Sequence, residues 1–197
     1  MTQVAHIGVF KEPLLLASSS PRRAEILRIV GWPFEVVSGA VDETRHTSED
    51  AVEYVSRLAR AKAETAAKGL SSGLVLGADT VVVIEGEILG QPRDDDDARR
   101  MLSRLRERWH DVVTGVALLR AGHGGHCLVD HEVTRVRFKP MSEEEIEWYI
   151  NTREPMGKAG AYAIQGRAAL FIEEIQGDYF NIVGLPIRRV YELSQEI

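Results

Sequence analysis

The sequence predicts an α/β protein, and three observations carry that expectation. Short apolar runs such as Leu14–Leu16 and Leu74–Leu76 alternate with segments whose apolar residues repeat at helical spacing, as at Ala51, Val55, Leu58, Ala59 and Ala66. Glycine, proline and small capping residues punctuate the boundaries between them. A chain of 197 residues with 44% hydrophobic content is long enough to bury one sizeable core. We expect a single domain over 1–197, with residues 1–13 as an N-terminal extension.

The first strand, Leu14–Leu16, runs into a small, polar turn, Ala17–Ser20. Ser20 suits an N-cap, Pro21 suits the first helical position, and Ile26, Leu27 and Val30 then share a helical face that Gly31 ends. Strand, turn and helix start gather unpaired N–H groups, three hydroxyls (Ser18, Ser19 and Ser20) and the guanidinium groups of Arg22 and Arg23 in one small volume. That volume suits a phosphate. Arginines in a first turn oppose a macrodipole that favours anions there by about 0.3–1 kcal/mol, so an anion explains them better than solvation does.

Trp32–Val37 reads as a second strand, and Asp42–Asp50 as a loop carrying the acids Asp42 and Glu43. On the helix that starts near Ser48, Lys62 falls on the apolar face between Leu58 and Ala66. Either its stem lies along the core while the ammonium reaches water, or the ammonium reaches a buried phosphate; spacing favours neither. Leu74–Leu76 opens a third strand, Gly77 and Ala78 leave room for a ligand, and Asp79 and Thr80 interrupt the run before Val81–Ile84 resumes. An ionised carboxylate flanked by buried strand is costly unless it is paired, hydrogen-bonded or bound to a cation. A turn would bring a second breaker, so Asp79 reads as a functional carboxylate.

Glu85-Gly86 predicts a hairpin turn into Glu87–Leu89, ended by Gln91-Pro92. The acids Asp94–Asp97 precede the apolar face Ala98, Met101, Leu102 and Leu105, which suits an N-cap and the helix dipole better than a metal loop. Val112–Leu119 and Val129–Phe138 predict a strand pair whose connection holds His123, His126 and nearby Cys127. The surrounding glycines and the lack of further ligands there read as a loop rather than a zinc site. Ser142 and Glu145 form a capping box for a helix reaching about Asn151, and Pro155 closes it. The segment Gly157–Gly166 reads as a ligand-facing loop. In it Lys158 would hold a phosphate, and Gln165, both donor and acceptor, would read a nucleobase edge. A strand Ala169–Ile172, a turn at Gly177–Tyr179, a short strand Asn181–Val183 and a terminal helix from Pro186 complete the reading.

A formal charge of −6 argues against general attraction to nucleic acid or acidic membranes and leaves a local anion site in an acidic protein. The arginines Arg99, Arg100, Arg104, Arg106 and Arg108 are scattered rather than striped. The single cysteine, Cys127, excludes an intrachain disulfide and a cysteine zinc cluster and is compatible with a reducing compartment, so the cytoplasm is the expected location. Met1–Lys11 shows no leader pattern, and no stretch approaches the about 18 apolar residues of a membrane span.

Four segments taken together resemble the Maf family of nucleoside-triphosphate pyrophosphatases: ASSSPRR at Ala17–Arg23, GADTVV at Gly77–Val82, KAGAYAIQG at Lys158–Gly166 and GDYFNIVGLP at Gly177–Pro186. The resemblance runs from about Leu14 to the C-terminus with the motifs in the family's order. It implies a mixed β-sheet flanked by helices, with two lobes around a nucleotide cleft, similar to inosine-triphosphate pyrophosphatases. It implies hydrolysis of a nucleoside triphosphate to monophosphate and pyrophosphate with a divalent metal, Mg or Mn, and is compatible with a homodimer. Asp79 is implied as the proton acceptor that activates water. Arg22, Thr80 and Gln165 stand at the positions of substrate choice, and the trio looks like the branch acting on dTTP and UTP rather than 7-methyl-GTP. In that role Ser18, Arg22, Arg23, Lys62 and Lys158 would bind the triphosphate, and Glu43 and Asp79 would be the metal's hard oxygen ligands.

The chain departs from the family pattern at two positions. Gln91 stands where a lysine is common, and Gly157 where an acid is common. Dropping one cation and one acid from the same cleft is either a compensated exchange or a loss of phosphate binding. The leading expectation is an active enzyme that cleans pyrimidine or modified nucleotides from the pool. Its competitor is a catalytically impaired nucleotide-binding regulator linked to cell division.

Overall fold

Residues 14–37, 39–122 and 125–197 are described by the structure, a computed structural model. The expected N-terminal extension, residues 1–13, and His123 lie outside the described residues. Seven strands form one sheet: β1 (Leu14–Ala17), β2 (Phe34–Val36), β3 (Leu74–Ile84), β4 (Glu87–Leu89), β5 (Trp109–Arg120), β6 (Cys127–Phe138) and β7 (Ile172–Gln176). Their order is β2-β1-β3-β5-β6-β7, with β4 paired to β3 off that path. Strand β1 is parallel to β2 and β3, and the remaining pairs are antiparallel, so the sheet is mixed. Around it stand α1 (Pro21–Ile29), α2 (Ala51–Ala67), α3 (Asp95–Leu105), α4 (Glu143–Asn151), α5 (Tyr179–Val183) and α6 (Ile187–Ser194).

Strand β3 is unbroken, which corrects the expected interruption at Asp79 and Thr80. Both residues stay in register, opposite Gly115 and Thr114 of β5. Strand alternation then divides the side chains of β3. Leu74, Leu76 and Ala78 pack with Ile26 and Leu27 of α1 and Val190 and Leu193 of α6. Val75 packs on the opposite face with Ala59 and Ala63 of α2. Farther along, Val82 and Ile84 join Leu102 and Leu105 of α3 and Ile146 and Tyr149 of α4. Along one face β3 thus serves two cores, and Thr80 falls where that face passes from one to the other, with Asp79 beside it on the α2 face.

Gly77 does not leave the room for a ligand that the sequence suggested. A Cβ there would stand 2.1 Å from the Ala59 carbonyl oxygen, and one on Gly115 would stand 2.5 Å from the Val55 carbonyl oxygen. These two glycines make room for the backbone of α2 rather than for a ligand. Val30 is exposed instead of sharing the buried face of Ile26 and Leu27.

The helix starts follow the sequence closely. Asp50 and Glu53 form a capping box on α2, Ser142 and Glu145 form another on α4, and Asp94 caps α3 by accepting from the Asp97 N–H. Such caps are worth about 1 kcal/mol each. Two expected strands are helical instead. Residues Arg167–Phe171 make a 3₁₀ turn before β7 begins at Ile172, because the Glu154 carboxylate accepts the N–H groups of Arg167 and Ala168. Asn181–Val183 belongs to α5, capped by Asp178 and anchored by the Asn181 amide, which donates to the Val112 carbonyl and Thr134 Oγ1.

Candidate active site

A cleft of about 590 Å³ opens where β3 passes between the two cores. The fold brings Ser18, Arg22, Arg23, Glu43, Lys62, Asp79, Thr80, Lys158 and Gln165 to its walls, together with Gln91 and Gly157.

Asp79 sits on the α2 face of β3, and the close approach allowed by Gly77 and Gly115 brings Lys62 onto it. Lys62 Nζ lies 2.7 Å from Asp79 Oδ1 and 2.7 Å from Glu43 Oε1. The resting ammonium therefore neither reaches open water nor waits alone for phosphate; it is shared by two carboxylates. Glu43 is placed by its loop, which α2 pins from below. Tyr54 donates to the Glu43 carbonyl (2.8 Å), Arg57 donates to the Thr44 carbonyl (3.0 Å), and the Arg57 guanidinium also grips Glu49 through both of its carboxylate oxygens. Sequence reading missed Tyr54, Arg57 and Glu49, since none departs from the pattern of an ordinary solvated loop or helix face.

Arg23 turns away from the open cleft. Its Nε donates to the Gly184 carbonyl (2.8 Å), Nη1 to Ser18 Oγ (3.0 Å) and the Ala78 carbonyl (2.9 Å), and Nη2 to Thr80 Oγ1 (3.1 Å). Four of the five donors of this guanidinium are spent on protein, which ties α1, β3 and the end of α5 together. Burial pushes its pKa down, partly offset by the negative charge of Asp79. Thr80 is committed as well, sharing a 3.0 Å hydrogen bond with Thr114, whose hydroxyl pairs in turn with the Asn181 carbonyl (3.2 Å). Thr114 and Asn181 also escaped the sequence reading; a lone threonine in a strand carries no pattern that marks it.

Arg22 and Lys158 contrast with Arg23. Among the described residues neither has a carboxylate partner within ion-pair distance, and the Lys158 ammonium donates only to the Met156 carbonyl, at 3.2 Å. Burial lowers the pKa of Arg22, and burial followed by the charge of Arg22 lowers that of Lys158. Two cations that repel each other across one cleft make a site for a polyanion. The Ser20 side chain makes no cap bond, so the first turn of α1 opens onto the same cleft with its N-terminal dipole end uncapped. The Gln165 side chain is exposed and has no hydrogen-bond partner among the described residues.

The donor set also suits a small divalent cation. Glu43 and Asp79 aim one carboxylate oxygen each at a single positive centre, the Lys62 ammonium. Mg²⁺ typically takes only one or two protein carboxylates and completes its shell with water and substrate phosphate oxygens. Among the described residues no cluster of three or more His, Cys, Asp or Glu side chains is arranged to hold a metal, the run Asp94–Asp97 included. Those acids are engaged otherwise, Asp97 with Arg93 and Arg100 and Asp95 with Arg153.

Known structures share this architecture. The Ham1 protein of Staphylococcus aureus superposes with a TM-score of 0.56 at 13% identity, covering 94% of this chain and 99% of its own. A HAM1 protein from Coxiella burnetii gives 0.51 at 15% identity, covering 94% and 100%. The fold is thus of the Ham1 type, a two-lobed α/β protein with its cleft at the shared strand. Within that class, the Maf-like protein model matches residues 13–197, and the chain belongs to the Maf family. It is 53% identical over 182 residues to a dTTP/UTP pyrophosphatase of Symbiobacterium thermophilum, covering 92% of each chain. It is 47% identical over 178 residues to a dTTP/UTP pyrophosphatase of Halalkalibacterium halodurans, covering 90% of this chain and 92% of the relative.

Proposed function

We propose that this protein hydrolyses nucleoside triphosphates, dTTP and UTP foremost, to the monophosphate and pyrophosphate, and that it works in the cytoplasm to clear pyrimidine or modified nucleotides. The observation that carries the proposal is one cleft holding a strand carboxylate, Asp79, beside two cations, Arg22 and Lys158, that lack carboxylate partners. The names of relatives at 53% and 47% identity support the choice of substrate.

Arg22, Lys158 and the open end of α1 receive the phosphates, and the incoming charge removes the repulsion between the two cations. Lys62, held between Glu43 and Asp79, is placed to shift an N–H from carboxylate to phosphate oxygen. Asp79 takes a proton from a water whose oxygen attacks phosphorus; the bond between the α- and β-phosphates breaks and pyrophosphate leaves. Such base catalysis contributes typically about 10²–10⁴-fold. Glu43 and Asp79 would hold the Mg or Mn ion, which when bound acidifies water and neutralises charge on the phosphate oxygens. Arg23 acts indirectly, by fixing Ser18 and Thr80 in the wall.

The test is product analysis by mass spectrometry after incubation with Mg or Mn and dTTP, UTP, CTP, 7-methyl-GTP or ITP. Monophosphate and pyrophosphate appear from dTTP and UTP, and chelation with EDTA stops the reaction. Tight nucleotide binding without turnover would overturn the proposal in favour of the regulator.

A further inference from the structure

We propose that Tyr149 and Glu154 form a clamp that sets the position from which Gln165 meets the nucleobase, so that this pair, outside the lining of the cleft, governs base discrimination. The inference rests on Gln165 reading the base, as proposed above.

The clamp is a closed set of hydrogen bonds around one short turn. Tyr149 Oη donates to Glu154 Oε1 at 2.9 Å and accepts from the Ala163 N–H at 3.2 Å. Glu154 Oε2 accepts from the Arg167 N–H at 3.1 Å, and Oε1 accepts from the Ala168 N–H at 3.4 Å. The two sides of the turn carrying Gln165 are therefore tied to one phenol–carboxylate pair. The turn closes on itself through the Gly166 N–H, which donates to the Ala163 carbonyl at 3.0 Å. A Cβ on Gly166 would stand 2.3 Å from Glu154 Oε1, so glycine is what lets the carboxylate come this close.

The pair itself is rigid. The Tyr149 ring is fully buried on α4 and meets Phe171 edge-on at 5.9 Å between centroids. The Glu154 N–H is fixed to Thr152 Oγ1 at 3.2 Å, just past the end of the helix. Gln165 has an exposed side chain with no partner of its own, so its reach is set by the backbone from which it starts. An amide selects among pyrimidine edges only when that starting point is held, because a displaced or flipped amide complements cytosine as well as uracil. Neither Tyr149 nor Glu154 lines the cleft, which makes them positioning residues rather than catalytic ones.

The experiment measures kcat and KM for UTP and CTP in the wild type, Tyr149→Phe, Glu154→Gln, Gln165→Ala and the double variant Tyr149→Phe/Gln165→Ala, with Tm for each. Tyr149→Phe keeps the buried ring and removes only the hydroxyl. The UTP-to-CTP ratio of kcat/KM falls about tenfold in Tyr149→Phe, while kcat for UTP stays within about threefold. Glu154→Gln shifts the ratio in the same direction, and the double variant falls no further than Gln165→Ala alone. If Gln165→Ala collapses the ratio but Tyr149→Phe and Glu154→Gln leave it unchanged, the clamp is refuted and the base reading stands. If Gln165→Ala leaves the ratio unchanged, the base reading falls and the clamp with it.

Discussion

Lys62 shows how much a single residue can hide from its sequence context. Helical spacing placed it on an apolar face and offered water or phosphate as its target, whereas the folded chain holds it between two carboxylates from other elements, Glu43 in a loop and Asp79 on a strand. Asp79 was legible because desolvation makes a strand carboxylate expensive. Arg23 was legible as a site residue, but adjacent arginines look alike in sequence, and only the fold separates the guanidinium spent on Gly184, Ser18, Ala78 and Thr80 from the one left facing the cleft. Gln91 gives a prediction at this scale. Gly157 removes an acid from the same walls, so the charge balance around Arg22 and Lys158 is kept, and Gln91→Lys changes kcat/KM by less than about threefold. A gain of tenfold or more in steady-state kinetics would show the native site to be impaired. His110 gives another. It is buried, its Nε2 lies 2.9 Å from the Tyr162 hydroxyl, and burial pushes its pKa from 6.5 down to about 3. Below pH 6.5 the unfolded chain takes a proton that the folded chain refuses, so stability falls as pH drops from 6.5 toward 3. The loss from this group is about 1.4 kcal/mol per pH unit. Urea unfolding at pH 7 and pH 5 should show a smaller acid-side loss in His110→Asn; an unchanged slope would clear His110 of that role.

Elements were more legible than the contacts between them. Helix starts carry local chemistry, and Asp50, Asp94 and Ser142 cap where capping rules put them or within a turn of it. The failures share a cause. Residues Ala169–Ile172 and Asn181–Val183 are apolar enough for strands, but Glu154 and Asp178 supply the acceptors that stabilise helical turns there, and Glu154 lies in a different segment from the turn it caps. Gly77 was misread for a similar reason, since its neighbour, the Ala59 carbonyl, comes from a separate helix. Gly77→Ala therefore pushes α2 off the sheet and moves Lys62 away from Asp79. We expect a destabilisation of about 1–3 kcal/mol, the range for overpacking, with a fall in kcat larger than the fall in kcat of an equally destabilised variant elsewhere in the core. Denaturant titration and kinetics on the same sample check both parts; wild-type stability and rate together would contradict the close-approach argument.

At the scale of the whole molecule, the cleft exists because β3 is long enough to belong to two cores and carries its polar residues at the crossing. The apolar runs Leu74–Leu76 and Val81–Ile84 announced the two ends of the strand, but its continuity and its split between two packing clusters depend on α3, α4, α1 and α6, which reach it from distant parts of the chain. No helix among the described residues is long and apolar enough to cross a membrane. On the function proposed above, this crossing is a pyrophosphatase site worked by Asp79. The most direct measurement compares purified wild type with Asp79→Asn for dTTP turnover, with products resolved by mass spectrometry and Tm recorded alongside. We expect thymidine monophosphate and pyrophosphate from the wild type, and a loss of at least about 10²-fold in the variant with the fold intact. Turnover of the variant at the wild-type rate, or release of diphosphate and single phosphate by the wild type, would contradict the proposed function.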